Sequence, residues 1–354
     1  MKKALIAMSG GVDSSVAAYL CKKEGYDCIG ATMRLFTNEE IGIKNEKSCC
    51  SQDDVEDAKS VATRLNMPYY VFNFTDEFEK KVIEKFVCAY EEGATPNPCI
   101  DCNRYLKFEK FFQRMKELGF DYVVTGHYAR ICEENGRFLL KKAIDERKDQ
   151  SYVLYSMTQE QLAHTLFPLG ELTKDETRRI AEENGFVNAK KHDSQDICFV
   201  PDGKYAEFIE KYRGRSYKNG NFVDKNGNVL GTHKGIIRYT IGQRKSLGLS
   251  LPEPMYVFEK NTEKNEVVLC KDCELFQNEL DVKEVNWIAF DTPPKTFWAR
   301  VKIRYNQKEE PAKIIVLGED KVHIEFKTPQ RAIAKGQAAV FYDGDTVLGG
   351  GTII

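Results

Sequence analysis

The sequence lacks both a long hydrophobic run and an excess of charge of one sign. No stretch of its 354 residues approaches the ~18 apolar residues of a membrane span. The 52 basic and 54 acidic residues leave a net charge of −2, which excludes a uniformly basic nucleic-acid coat but not a local basic surface. The apolar run in MKKALIAMSGG stops at a glycine loop, unlike a signal peptide. We therefore expect a cytoplasmic protein whose thiols stay reduced.

The length suggests two or three domains, and the pattern changes partway along the chain. Residues 1–204 alternate short apolar runs with helical patterns, which predicts an α/β domain with a parallel, Rossmann-like sheet. The predicted elements include a helix capped by Ser51, a strand over residues 120–131, a hairpin around Asn135-Gly136, helices over residues 152–166 and 173–184, and, further along, a strand over residues 235–241. After that point turn signals recur every 8–12 residues between short β-rich runs, which is typical of barrels or sandwiches. We expect a small β-rich central domain over residues 205–278 and a β-barrel over residues 279–354.

A local basic surface is predicted in the central domain. Residues 204–245 hold ten basic side chains against Glu207, Glu210 and Asp224. Aromatic residues are interleaved with these charges, which suits binding of a phosphate backbone and stacking of bases. A solvated surface over core aromatics explains the pattern equally well. The aromatic residues concerned are Tyr205, Phe208, Tyr212, Tyr217, Phe222 and Tyr239.

A glycine loop, Ser9 to Ser15, separates the first predicted strand from the first predicted helix. Its glycines let backbone N–H groups turn toward an anion, and the helix adds its positive end. The loop matches neither GxGxxG nor GxxxxGK[ST], and it has no lysine for a γ-phosphate. It therefore suits pyrophosphate. Asp13 is expected to bind Mg²⁺.

Three of the eleven cysteines stand out by their context. Cys99 and Cys102 lie on a proline-rich loop that runs into a helix, and Cys198 lies on a polar loop. Such positions favour reactive thiols over buried ones. Most of the others fit core packing, and Cys270-x-x-Cys273 has the spacing of half a zinc site but no second pair nearby. The adjacent pair Cys49 and Cys50 is interpreted as non-catalytic.

The motifs in combination resemble one family, the tRNA-specific 2-thiouridylases of the PP-loop ATP pyrophosphatase superfamily. The resemblance runs along nearly the whole chain and implies a PP-loop domain, a tRNA-binding central domain and a C-terminal β-barrel. It implies replacement of the C2 oxygen of the wobble uridine by sulfur in tRNAs for Lys, Glu and Gln. The motifs are SGGVDSS, CCSQDDVEDAKSVA, TPNPCxxCNRYLKF, TGHYAR, KDQSYVLY, SQDICFV and GQRKSLGL.

The resemblance also implies roles for individual residues. The ATP-binding positions would be Ala7, Met8, Ser9, Gly10, Gly11, Val12, Asp13, Ser14, Met33 and Gly126. The tRNA-binding positions would be Asn97, Pro98, Cys99, His127, Lys148, Asp149, Gln150, Arg304, Tyr305 and Gln337.

Two cysteines would carry the sulfur chemistry that the resemblance implies. Cys102 matches the family nucleophile, and Cys198 matches the cysteine that holds a persulfide. The sulfur would come from a carrier, from a cysteine desulfurase relay or from free sulfide. Because the C2 carbonyl has no leaving group, its oxygen would first be adenylated. A Cys102–Cys198 disulfide would remain, and a reductant would have to reset it.

One position departs from the family pattern. Well-known members read Asn-Pro-Asp where this chain has Cys99, so the expected acid is missing, and Asp101 does not simply replace it. Two mechanisms follow. Either Cys102 and Cys198 form a persulfide relay and Cys99 is incidental, or all three thiolates hold a 4Fe–4S cluster that delivers sulfide.

Two other functional classes are weighed against thiolation. A PP-loop ligase that amidates a small metabolite would give Cys99, Cys102 and Cys198 no function. A non-enzymatic tRNA-binding protein would give the glycine loop no function. Thiolation uses both features, and the sequence therefore predicts a sulfurtransferase.

Overall fold

The computed structural model describes residues 1–36, 52–191, 197–200 and 203–354. Cys49, Cys50 and the predicted helix cap Ser51 lie outside the described residues. Within those ranges, no helix is both long and apolar enough to cross a membrane.

The N-terminal α/β domain is built on a five-stranded parallel sheet in the order β3-β2-β1-β4-β7. Its central strand β1 is buried from Ala4 to Ala7, because an all-parallel sheet is covered on both faces. The strands of this part of the chain are β1 (Lys3–Ala7), β2 (Asp27–Arg34), β3 (Tyr69–Asn73), β4 (Tyr122–Val124), β5 (Ala129–Glu134), β6 (Arg137–Lys142) and β7 (Thr165–Leu166).

Helices cover this sheet, and two of their connections, Glu79–Ile83 and Cys102–Lys110, are wound as π-helix. The helices are α1 (Val12–Lys23), α2 (Gln52–Arg64), α3 (Thr75–Phe78), α4 (Glu84–Glu91), α5 (Pro98–Asp101), α6 (Phe111–Glu117), α7 (Gln159–Ala163) and α8 (Lys174–Glu183).

The helix predicted over residues 152–166 is wrong. The chain forms a short 3₁₀ turn, Ser151–Leu154, then α7, and then β7. The break falls at Thr158, whose extended backbone starts α7 through a capping box with Gln161.

The strand predicted over residues 120–131 is also wrong, because it divides into β4 and β5 around the loop 125–128. The hairpin predicted around Asn135-Gly136 is confirmed, and both turn residues have positive φ. Residue Lys141 of its second strand pairs with Thr346 of the C-terminal part of the chain. A hairpin of the first domain thus extends the last sheet.

The central part of the chain contains α9 (Tyr205–Arg213) and a four-stranded sheet. Its strands are β8 (Gly220–Val223), β9 (Val229–His233), β10 (Tyr256–Asn261) and β11 (Glu266–Cys270), in the order β10-β11-β8-β9. The strand predicted over residues 235–241 is wrong, since Ile236–Arg238 form a 3₁₀ turn after Gly235 at φ +102°.

The aromatic residues of this basic stretch belong mainly to the core. Phe208, Phe222 and Tyr239 are buried, and Tyr205, Tyr212 and Tyr217 pack against the same cluster. Ion pairs also occupy several of the basic side chains, namely Arg213 with Glu84 and Glu91, Arg215 with Glu91, and Arg238 with Glu210. The structure therefore supports core aromatics over a base-stacking surface.

The C-terminal part is a closed six-stranded barrel. Its strands are β12 (Phe276–Trp287), β13 (Thr296–Lys302), β14 (Glu310–Val316), β15 (Val322–Arg331), β16 (Ala338–Asp343) and β17 (Thr346–Ile353). Pairing of β12 with β17 closes the sheet, and Val301, Ile314, Ile324 and Phe341 fill its interior. The predicted fold class, an α/β domain followed by a β-barrel, is confirmed.

Candidate active site

The predicted nucleotide-binding residues meet at one edge of the parallel sheet. Because β1 lies between β2 and β4, the loop after Ala7, the residue Met33 near the end of β2 and Gly126 after β4 are neighbours. Ligands of open α/β sheets bind at the carboxyl ends of the strands. The structure therefore brings these predicted residues together where such a site is expected.

The close packing of the loop requires glycine at two positions. Gly10 has φ +73°, and a Cβ there would collide with the backbone of Asp54. A Cβ on Gly126 would lie 2.7 Å from the carbonyl carbon of Asp13 and 2.8 Å from the nitrogen of Ser14. The backbone can therefore turn toward an anion while two other segments support it from behind.

The serines of the loop hold its shape from within. The hydroxyls of Ser14 and Ser15 both donate to the carbonyl of Gly11, at 3.1 and 2.9 Å. Asn188 donates from Nδ2 to the carbonyl of Gly10 and to Ser15 Oγ, each at 2.9 Å. Val12 is buried in the core beneath the loop, so only its backbone faces the site.

Asp13 is bound by a lysine that the sequence reasoning missed. Lys174 Nζ lies 2.7 and 2.8 Å from the two carboxylate oxygens, and the Tyr128 hydroxyl donates to Oδ1 at 2.9 Å. This arrangement differs from the expected role of Asp13 as a Mg²⁺ ligand, because both oxygens already accept hydrogen bonds. A signal for Lys174 does exist, since the capping box of Thr173 and Glu176 fixes the start of α8.

A second lysine, Lys191, was also missed. Its Nζ lies 2.5 Å from Asp54 Oδ1 and 2.9 Å from Asp57 Oδ2, and 3.5 Å from the carbonyl of Gly10. It therefore ties the glycine loop to α2. Cys198 follows it by seven residues.

The two N-terminal cysteines of the candidate site lie on consecutive turns of one helical segment. The Asn97 side chain caps that segment by accepting from the nitrogen of Cys99 at 3.1 Å, and Pro98 occupies the first helical position. Cys99 is exposed, whereas Cys102 is half-buried. Cys102 and the half-buried Cys198 pack against the same large apolar cluster.

The proposed iron–sulfur ligand set does not fit this arrangement. Cys99, Cys102 and Cys198 are all among the described residues, and those residues contain no group of three ligating side chains that could hold a metal ion. Cys270 is buried while Cys273 is exposed, and the part of the chain that the structure describes adds no further ligands for a zinc ion there. Burial raises the pKa of the Cys270 thiol to about 11.

Asp101 does not replace the missing acid beside Cys102. Its carboxylate pairs with Lys85 Nζ at 3.1 Å, and that same ammonium lies over the ring of Tyr105. Burial raises the pKa of Asp101, and the neighbouring Lys85 opposes that shift. The Asp101 carboxylate is thus paired with Lys85, as expected of a residue that does not simply replace the missing acid.

Two predicted tRNA-binding residues of the C-terminal part, Tyr305 and Gln337, contact the α/β domain. Gln337 Nε2 donates to the carbonyl of Thr95 at 2.7 Å. The Tyr305 hydroxyl donates to the carbonyl of Asp149 at 3.2 Å. Burial raises the pKa of Tyr305, and the charges of Asp149 and Cys99 add to that shift. The barrel and the α/β domain therefore form this part of the site jointly.

Other residues predicted to contact tRNA are buried or hydrogen-bonded within the protein. The Asp149 carboxylate accepts from the backbone of Ala143 and Ser151, and Gln150 accepts from the nitrogen of Tyr128. His127 is 6% exposed, and burial lowers its pKa, so its ring is a neutral core group. Arg304 donates to the carbonyl of Ala332. Of this group, Lys148 stays half-exposed.

Comparison with protein families matches three models in order along the chain. Residues 2–202 match a tRNA methyl transferase HUP domain, and residues 206–271 match a tRNA methyl transferase PRC-barrel domain. Residues 277–353 match an aminomethyltransferase β-barrel domain.

Curated relatives match over the full length. Proteins named tRNA-specific 2-thiouridylase MnmA from Clostridioides difficile strain 630 and Clostridium acetobutylicum are each 51% identical over 99% of this chain, and 98% and 99% of their own lengths are covered. A protein of the same name from Lachnoclostridium phytofermentans is 50% identical over 100% of both chains. The relatives' names refer to thiolation, whereas the model descriptions refer to methyl transfer. Because the identity to these relatives extends over the full length, their names indicate the family better than the model descriptions do.

Solved structures are matched more distantly. A 4-thiouridine synthetase in complex with RNA and ATP is 18% identical, with a TM-score of 0.36 over 60% of this chain and 50% of the other. An NMN synthetase from Francisella tularensis is 14% identical, with a TM-score of 0.35 over 61% of this chain and 79% of the other. At these scores neither structure supports an argument about function.

Proposed function

The chain belongs to the family of tRNA-specific 2-thiouridylases, and on that premise we propose that it replaces the C2 oxygen of a tRNA uridine by sulfur at the expense of ATP. The observation that carries the proposal is 51% identity over 99% of the chain to relatives with that name. The same relatives disfavour the alternative of a ligase that amidates a small metabolite.

The glycine loop is the proposed site of activation. The uridine C2 oxygen attacks the α-phosphorus of ATP, and pyrophosphate leaves as the adenylated uridine forms. The loop's backbone N–H groups at the start of α1 suit the departing anion. Lys174 supplies, from α8, the cation that the loop itself lacks. Bound Mg²⁺ would add charge neutralisation there, with Asp13 as its candidate ligand if Lys174 moves toward the phosphates.

The sulfur step is assigned to Cys198 and Cys102. A sulfur donor first leaves a persulfide on Cys198. Its terminal sulfur attacks C2, and AMP departs with the original oxygen. The Cys102 thiolate attacks the inner sulfur of Cys198, which breaks the persulfide bond and leaves a Cys102–Cys198 disulfide. An external thiol reductant then returns both cysteines to thiols. Both cysteines pack on the same apolar cluster, which supports a relay.

No step is assigned to an iron–sulfur cluster, because the three cysteines do not form a ligand set as described above. In the relay, Cys99 is a neighbour of the base rather than a sulfur carrier. Its exposure supports that assignment.

The proposed substrate is the wobble uridine of tRNAs for Lys, Glu and Gln, in the cytoplasm. For this relay the donor is a persulfide-bearing sulfur carrier or a cysteine desulfurase, because free sulfide would need a two-electron oxidant to form a persulfide on a thiol. A base in the anticodon loop must leave its stack to enter the site, at a cost of a few kcal/mol. The junction of Asn97, Tyr305 and Gln337 is the candidate pocket for it.

Pyrophosphate release in the presence of ATP tests the proposal. We expect release that depends on tRNA lacking the modification and that stops when already thiolated tRNA replaces it. Mass analysis of the wobble nucleoside should show 2-thiouridine. Release driven equally well by a small acceptor without RNA would contradict the proposal.

A further inference from the structure

Both later parts of the chain hold the short loop that leads into the cysteines. Residues 93–97 connect α4 to α5. From the barrel side, the carbonyl of Lys335 accepts from the nitrogen of Thr95 at 2.8 Å, and Gln337 donates to the Thr95 carbonyl at 2.7 Å. Both the N–H and the C=O of Thr95 are thus hydrogen-bonded to the barrel, two residues before Asn97.

The central sheet reaches the preceding residue through Lys260 of β10. Its Nζ donates to the carbonyl of Ala94 at 3.3 Å and lies 5.4 Å from the centre of the Tyr90 ring. Lys260 is only 8% exposed, and no acidic side chain that the structure describes forms an ion pair with it. A buried ammonium without a counter-charge opposes folding. We therefore expect Lys260 to have a function other than stabilising the fold.

The electrostatics of the site agree with this burial. Burial lowers the pKa of Lys260 from 10.5 to about 8. The titratable group that faces it is Tyr90, whose pKa is raised by burial, so the phenol stays neutral. The lysine therefore carries most of its charge at neutral pH and directs it at a backbone carbonyl.

The loop between these two contacts has little freedom. Gly93 has φ +82°, and a Cβ there would lie 3.3 Å from Thr262 Cγ2 and 3.4 Å from the carbonyl oxygen of Lys260. Thr95 Oγ1 is buried without a hydrogen-bond partner in the described structure. Contacts from other parts of the chain, more than the loop's own side chains, set its conformation.

We propose that Lys260 is a positioning residue that holds the Asn97–Cys102 segment in its active geometry from the central domain, as Gln337 does from the barrel. The inference rests on the proposed function, because the segment it positions carries the proposed nucleophile. Lys260 acts on Cys102 only through the loop, and its removal should change the turnover step more than tRNA binding.

The test compares Lys260→Met, which keeps the aliphatic stem, with Lys264→Met, which removes an exposed lysine in the same hairpin. We expect Lys260→Met to lower kcat by roughly tenfold while KM for tRNA stays within about twofold of the wild type. Alkylation of Cys99 by iodoacetamide should become several-fold faster, while that of the exposed Cys273 stays unchanged. The Tm should not fall. Lys264→Met should behave like the wild type.

Unchanged kcat and unchanged Cys99 alkylation in Lys260→Met would overturn the proposal. A fall in Tm with equal acceleration at Cys99 and Cys273 would assign a merely structural role and overturn it as well. Gln337→Leu provides a second variant, and it should also accelerate alkylation at Cys99 alone. If the wild type lacked tRNA-dependent thiolation, the proposed function would fail, while the alkylation comparison would still decide the role of Lys260.

Discussion

Lys174 Nζ lies 2.7 Å from Asp13 Oδ1, so a helix 161 residues further along the chain reaches into the glycine loop. The lysine side chain is 5% exposed and the Asp13 side chain 31%, so the pair meets solvent on its carboxylate side. The Tyr128 hydroxyl donates to the same carboxylate and lies 3.0 Å from Thr177 Oγ1 of α8. The loop's acid and its candidate phosphate cation are therefore held together by one hydrogen-bonded network.

Lys174→Met should raise the KM for ATP by roughly tenfold or more, because the only cation in contact with Asp13 in the described structure is removed. The variant should also lose ~1–3 kcal/mol of stability, since Asp13 loses its charge partner. Steady-state kinetics and thermal unfolding measure the two effects. The double variant Asp13→Asn/Lys174→Met should recover stability but not ATP affinity. Recovery of both would assign the pair to folding alone.

Gly126→Ala should weaken ATP binding by roughly tenfold, because the new methyl group must displace the backbone at Asp13 and Ser14. Gly318→Ala is the matched control, since a Cβ at that position meets nothing within 4 Å. Equilibrium binding of a non-hydrolysable ATP analogue gives the comparison. Equal affinities in the two variants would show that the contact between β4 and the loop does not shape the nucleotide site.

Cys99→Ala should keep most of the thiolation activity, whereas Cys102→Ala and Cys198→Ala should each lose at least ~100-fold. Intact-mass analysis under non-reducing conditions after one turnover should find the wild type lighter by two hydrogens, as a Cys102–Cys198 disulfide requires. Loss of activity in Cys99→Ala, together with iron and sulfide retained after anaerobic reconstitution of the wild type, would favour the cluster instead.

The stability of the protein should depend on Lys260 above neutral pH. Its pKa is about 8 in the folded protein and 10.5 ordinarily, so between these values the unfolded chain binds more protons than the folded one. Stability should therefore rise with pH across that window, by at most about 3 kcal/mol. Chemical denaturation at pH 7.5 and pH 10 should show this rise relative to Lys260→Met. Parallel pH dependences in the two proteins would contradict the assigned burial.

Features encoded locally could be predicted from the sequence. The glycine loop, the turn at Asn135-Gly136 and the helix that ends near Asn184 depend on residues only a few positions apart. The change from alternating helices and strands to short strands also indicated the barrel correctly. Each of these patterns sets a local requirement on the backbone, and contacts with distant segments do not change the resulting conformation.

Contacts between distant segments could not be predicted. By its sequence Lys174 is an ordinary first-turn lysine, and only the packing of α8 on α1 brings it to Asp13. The basic central stretch had two interpretations because aromatic residues serve both cores and nucleic-acid surfaces. Only packing distinguishes the two.

Strand β6 of the β5–β6 hairpin pairs with β17, so the α/β domain contributes two strands to the sheet of the C-terminal barrel. Arg130 with Asp345 and Lys142 with Glu309 reinforce that seam with ion pairs. A chain cut after the α/β domain would expose the unpaired edge of this hairpin, which invites association with other strands. The three parts of this protein are therefore poor candidates for exchange as independent modules, because one of them is completed by another.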